Sequence, residues 1–251
     1  MRSRAAALAA LALAALALLA TAATAASGRY VALGDSYTAG PLIPDQSLSP
    51  LGCLRSDVNY PHLVRPSLEV ATFTDISCSG ATTDDFTAPQ STSIGTNPPQ
   101  FDALTADTRV VTVGIGGNDI GFSDIVLNCA RLNPFDPCRD DYVHDGIDEI
   151  SQAIAATAPK IDAAIDGIQA RSPNAKVHLV GYPVILPASG FGCWPSVPIL
   201  PTDVFYLRAK EIELNGMLAA RAAAGGAFYV DTYTSSVGHD VCRGTGTKWV
   251  E

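Results

Sequence analysis

The chain has 251 residues, with 25 acidic and 16 basic side chains and a formal net charge of −9. An acidic surface repels phosphate backbones, which excludes nucleic acid as a partner. The length suits one sizeable α/β core, and no internal repeat or interdomain linker divides it.

Arg2 and Arg4 precede an unbroken Ala/Leu run from Ala5 to Ala20, and Ala23-Thr24-Ala25 offers a small-residue cleavage site. This pattern predicts a secretory signal peptide over residues 1–26 rather than a membrane anchor. The two arginines are not adjacent, which argues against a twin-arginine signal, and no Cys follows the cut to carry a lipid. The expected product is a secreted domain, 27–251, with no stable membrane insertion. Losing Arg2 and Arg4 takes its net charge from −9 to −11.

Arg29 to Leu33, stopped by Gly34, predicts a first strand, and Val70 to Thr74 a weaker second. Arg109 to Val113, stopped by Gly114, is a β-branched run, followed by Lys176 to Val180 and Ala227 to Val230. Between them Ile147, Ile150, Ile154, Ile161, Ile165 and Ile168 draw one apolar helical stripe, with Pro159 expected to break or kink it. Val204, Leu207, Leu214 and Leu218 draw another. Strands alternating with helices imply βαβ units and a parallel sheet with helices on both faces. Residues 41–58, 87–100, 131–145 and 183–202 read as long loops. In the last, Phe191, Trp194 and Ile199 are candidates for lining an apolar groove.

Six cysteines follow the signal: Cys53, Cys78, Cys129, Cys138, Cys193 and Cys242. An even count in an exported chain reads as three disulfides, and 15 connectivities are open. Spacing favours local pairs in chain order. No Cys-x-x-Cys or His-x-x-x-His spacing is present, so a zinc site is disfavoured.

Ligands of an open parallel sheet bind beyond the carboxyl ends of its strands. Gly34-Asp35-Ser36-Tyr37 follows the first strand there. A Ser on such a turn meets a helix N-terminus, whose free N–H groups favour developing negative charge. Asp and Ser are also ordinary N-caps, so this turn alone decides little. Gly114-Ile115-Gly116-Gly117-Asn118-Asp119 follows the third strand and offers Asn118 as an oxyanion donor; an Asx turn is the plainer reading. Ser77 to Thr83 holds Gly80, whose N–H is a third candidate. No Gly-x-Ser-x-Gly elbow is present.

Together these segments, in this order, resemble the SGNH or GDSL-type hydrolase family, most closely its secreted actinobacterial lipases and esterases. The resemblance spans Arg29 to Glu251 and includes a late Gly238-His239-Asp240-Val241-Cys242 segment. It implies a flavodoxin-like three-layer α/β/α sandwich, cysteines paired in sequence order, and no metal or cofactor. Ser36 becomes the nucleophile, and the oxyanion donors are the Ser36 N–H, the Gly80 N–H and the Asn118 side chain. The implied substrate is a small-molecule or lipid acyl ester, hydrolysed by a monomer through an acyl-enzyme. The alternatives are a carbohydrate deacetylase of the same family and a non-catalytic wall-associated binding protein on the same scaffold.

A nucleophilic serine needs a base. The histidines are His62, His144, His178 and His239. The family's base belongs to a His-Pro pair beyond a Trp-Val pair; here Trp249-Val250 is followed only by Glu251. The expectation is therefore a fragment that lacks its base and hydrolyses little, with His239 as the substitute base if it is not. The plainer role for His239 is structural, beside Cys242.

Overall fold

Five short apolar runs pair into one all-parallel sheet: β1 (Arg29–Gly34), β2 (Thr72–Asp75), β3 (Thr108–Gly114), β4 (Lys176–Val180) and β5 (Phe228–Val230). The order is β2-β1-β3-β4-β5, the flavodoxin-like arrangement. The structure, a computed structural model, describes residues 27–250; the signal-peptide expectation for 1–26 lies outside them. β1 is flanked by β2 and β3, so strand order reverses there, and a crevice opens at the carboxyl ends of β1 and β3.

Strand alternation sorts the side chains between two faces. Val31, Leu33, Val111, Val113, Val177 and Leu179 point to the main core and are almost wholly buried. Over that face lie α4 (Glu149–Arg171) and α5 (Pro201–Ala224). Their earlier neighbours in the chain are α1 (Ser36–Ala39), α2 (Tyr60–Val64) and α3 (Phe122–Cys129). Ile150, Ile154, Ile161, Ile165 and Ile168 of α4 are buried as the stripe requires, each contributing about 1.5–3 kcal/mol. On the opposite face the Tyr30 hydroxyl bonds Thr112 Oγ1 at 2.8 Å, and His62 of α2 packs edge-on against Phe73. Beyond α2 this face opens into a cavity of about 490 Å³ lined by Val110, Thr112, His178, Val180, Val230 and Trp249, among others.

Two expectations need correction. Pro159 does not break α4, which runs on through it. Pro159 and Ala155, whose carbonyl loses the i→i−4 bond, both lie on the exposed side, where water can satisfy that carbonyl. Ile147 is not part of the stripe: it is exposed in a two-residue strand, and α4 starts after Asp148, whose carboxylate caps Ser151 N–H at 3.1 Å. The three disulfides are Cys53–Cys78, Cys129–Cys138 and Cys193–Cys242, as chain order suggests. No described helix is long and apolar enough to cross a membrane.

Candidate active site

β1 ends at Gly34 with φ +141°, and a Cβ there would collide with Gly114 O and Thr38 Oγ1. Glycine lets β1 approach β3 this closely. The next residue locks the turn: Asp35 N–H donates to Gly114 O at 2.9 Å, and its carboxylate accepts Tyr37 N–H at 2.9 Å, capping α1. Ser36 is the first residue of α1 and is half-buried. Gln100, fully buried, accepts Gly34 N–H at 2.7 Å and donates to Gly34 O at 3.0 Å, fixing the end of β1 from the side.

The other two segments converge on the same point. Cys78 N–H donates to Gly34 O at 3.0 Å, which hangs residues 77–81 on the end of β1. Gly80 is exposed and left-handed, with φ +80°. Asn118 follows β3, and its amide donates to Ala81 O at 2.8 Å, leaving its second N–H for a ligand. Asp119 secures the loop by accepting Thr83 N–H at 3.0 Å, Thr83 Oγ1 at 2.6 Å and Lys160 Nζ at 3.2 Å. Among the described residues neither the Ser36 nor the Gly80 N–H has a hydrogen-bond acceptor. The structure thus ties the segments that carry Ser36, Gly80 and Asn118 to one another, through Gly34 O and Ala81 O.

A bracket that the sequence reading missed lies beneath them. The Tyr182 hydroxyl donates to Asp35 Oδ2 at 2.5 Å and accepts Gly117 N–H at 2.7 Å. It joins the nucleophile turn to the Asn118 loop. Burial pushes the Asp35 carboxyl up to about 7, against the pull of its bonds from Tyr182 and Tyr37. Burial and the adjacent Asp35 hold the Tyr182 hydroxyl well above the usual tyrosine range. Tyr182 directly follows Gly181 at the end of β4, so the strand-end rule was a signal that could have found it.

No histidine is hydrogen-bonded to Ser36 among the described residues. His62 Nδ1 meets Asn59 Oδ1 at 2.7 Å, His144 Nε2 meets Asp141 O at 2.9 Å, and His178 stacks on Phe228 in the sheet. His239 Nδ1 bonds the Thr247 carbonyl, and its ring stacks on Trp249 at 3.8 Å. Of the three groove candidates, Ile199 lines an apolar cavity beside Tyr37 and Gly117. Phe191 and Trp194 do not line it: Phe191 packs edge-on against Phe205 and is largely exposed, and Trp194 Nε1 donates to Arg131 O.

Residues 32–251 match the GDSL-like Lipase/Acylhydrolase family. The chain is 40% identical over 229 residues to Lipase 2 of Streptomyces coelicolor, covering 88% of this chain and 75% of that protein. It is 32% identical over 225 residues to a lipase of Streptomyces rimosus, with the same coverage of each. Among solved structures, a phospholipase A1 from Streptomyces albidoflavus superposes with a TM-score of 0.75 at 28% identity, over 89% of this chain and 86% of that one. The extracellular lipase of Streptomyces rimosus gives 0.72 at 30% identity, over 89% and 87%. The chain belongs to the GDSL-like lipase/acylhydrolase family and is a carboxylic ester hydrolase.

Proposed function

We propose that the protein is an exported serine lipase or esterase that cleaves acyl esters through an acyl-enzyme on Ser36. The observation that carries this reading is that the segments of Ser36, Gly80 and Asn118 are hydrogen-bonded to one another while the Ser36 and Gly80 N–H groups and one Asn118 N–H stay unused. Ser36 Oγ attacks the ester carbonyl carbon while a base takes its proton. Negative charge then develops on the carbonyl oxygen, where the three donors meet it. The intermediate collapses, the alcohol leaves with the proton, and water repeats the sequence to free the acid and Ser36. Three disulfides support an extracellular destination, as does the N-terminal Ala/Leu segment.

Among the described residues none of the four histidines is hydrogen-bonded to Ser36, each having other partners. One observation favours His239 as the base: its Nδ1 meets a main-chain carbonyl, which leaves Nε2 to accept a proton. His239→Ala tests this, because hydrolysis is lost only if His239 is the base. The main claim is tested by turnover of a short p-nitrophenyl ester. Ser36→Ala should reduce kcat by several orders of magnitude. Unchanged turnover would remove Ser36 from the mechanism.

A further inference from the structure

The apolar stripe of α5 runs through Val204, Leu207, Leu214 and Leu218, and its spacing of three and four passes through Glu211. A carboxylate at a core position demands a partner. Glu211 is only 9% exposed. Its carboxyl accepts Ile185 N–H at 3.1 Å, the one hydrogen-bond partner it has among the described residues. Burial pushes the carboxyl up to about 8, so it is protonated at neutral pH. A neutral carboxyl carries an O–H donor as well as acceptor oxygens, and the Ile185 N–H satisfies only an acceptor.

Glu211 lines a cavity of about 230 Å³ whose wall is otherwise mainly apolar, including Ile125, Ile150, Ile199 and Leu214. The cavity reaches Tyr37 and Gly117, the chain neighbours of Ser36 and Asn118. We propose, building on Ser36 as the nucleophile, that this cavity receives the acyl chain of the ester and that Glu211 selects chains bearing a hydroxyl, keto or ether oxygen over plain alkyl chains. A plain chain leaves the Glu211 O–H facing hydrocarbon, whereas an in-chain oxygen accepts it. The other polar groups around Glu211 are accounted for. Lys210 of α5 is held by Asp148 at 2.7 Å and Glu213 at 2.9 Å. The Tyr182 hydroxyl is spent on Asp35 and Gly117. Tyr37 of α1 is buried, and Tyr233 feels both Glu211 and Arg208.

The test measures binding, so it needs no turnover. The full chain carrying Ser36→Ala is titrated calorimetrically with methyl octanoate and with methyl oxooctanoates bearing the keto oxygen, which can only accept, at successive carbons. At least one keto ester should bind about tenfold more tightly than the plain one. Glu211→Leu should abolish that preference, and Glu211→Gln, which keeps an N–H donor, should retain part of it. Raising the pH from about 6.5 to about 9.5 should erase the preference in the Glu211 protein but not in Glu211→Gln. This pH arm decides the matter even if Glu211→Leu does not fold. Equal affinity for all the esters at neutral pH, or a preference that survives both Glu211→Leu and high pH, overturns the assignment. The role of Ser36 fails separately, through turnover that persists in Ser36→Ala.

Discussion

In the proposed mechanism Asn118 divides its amide between structure and chemistry: one N–H holds Ala81 O, and the other would meet the oxyanion. Asn118→Ala should therefore lower kcat by roughly 10²–10³-fold on a short soluble ester while moving KM little. An effect confined to KM would mean that Asn118 meets the ground state only. The segments of Ser36, Gly80 and Asn118 stand out in the sequence because each is Gly-bearing, follows a strand and keeps a recognisable order. Tyr182 does not, because one tyrosine after one glycine forms no pattern; its meaning comes from two bonds that span 65 and 147 residues of sequence. Glu211 left a trace as the one charged side chain on an apolar stripe, which is read only once the whole stripe is traced.

At the scale of elements, residues 77–81 have no regular structure of their own and depend on their ties. The Cys53–Cys78 bridge holds them, Ser79 N–H donates to Cys53 O at 2.9 Å, and buried Arg55 donates through Nε to Ser77 O at 2.9 Å. Replacing both Cys53 and Cys78 by Ser should cost about 3–4 kcal/mol of unfolding free energy by the loop-entropy model. It should also lower kcat, because Gly80 loses its anchor. The same change at Cys129 and Cys138, which close a loop of nine residues' separation, should leave kcat closer to the parent. Urea unfolding and turnover measured side by side check both halves, and equal kcat losses for the two pairs would deny Gly80 its special dependence. The strands were legible because glycines and β-branched runs bound them. Ile147 was misread, and a break at Pro159 did not follow, because periodicity sees neither where a cap resets the chain nor which side of a helix faces water.

For the molecule as a whole, two buried carboxyls shape the response to acid and base. Asp35 is pushed up to about 7 and Glu211 to about 8, both above their unfolded values. The folded state therefore holds protons that the unfolded state has released. Stability is fully present below about pH 4 with respect to these two groups and declines as pH rises through about 7 and 8. Asp107, Asp141, Asp148 and Asp231 are held below the usual carboxylate range and act in the opposite sense, at lower pH. Between about pH 5 and 9 the unfolding free energy of the parent should fall relative to that of Glu211→Gln, by on the order of a few kcal/mol at the upper end, as urea unfolding at each pH would measure. Parallel curves for the two proteins across that range would show that Glu211 does not titrate as described. The parallel α/β architecture was readable from the alternation of periods. The strand order was not, because sequence patterns carry no neighbour information for parallel strands.

None of the six cysteines lies in a strand of the parallel sheet. The bridges therefore fasten segments that the strand hydrogen bonds do not hold. Reduction should loosen those segments, the one carrying Gly80 among them, before it disturbs the strand pairing.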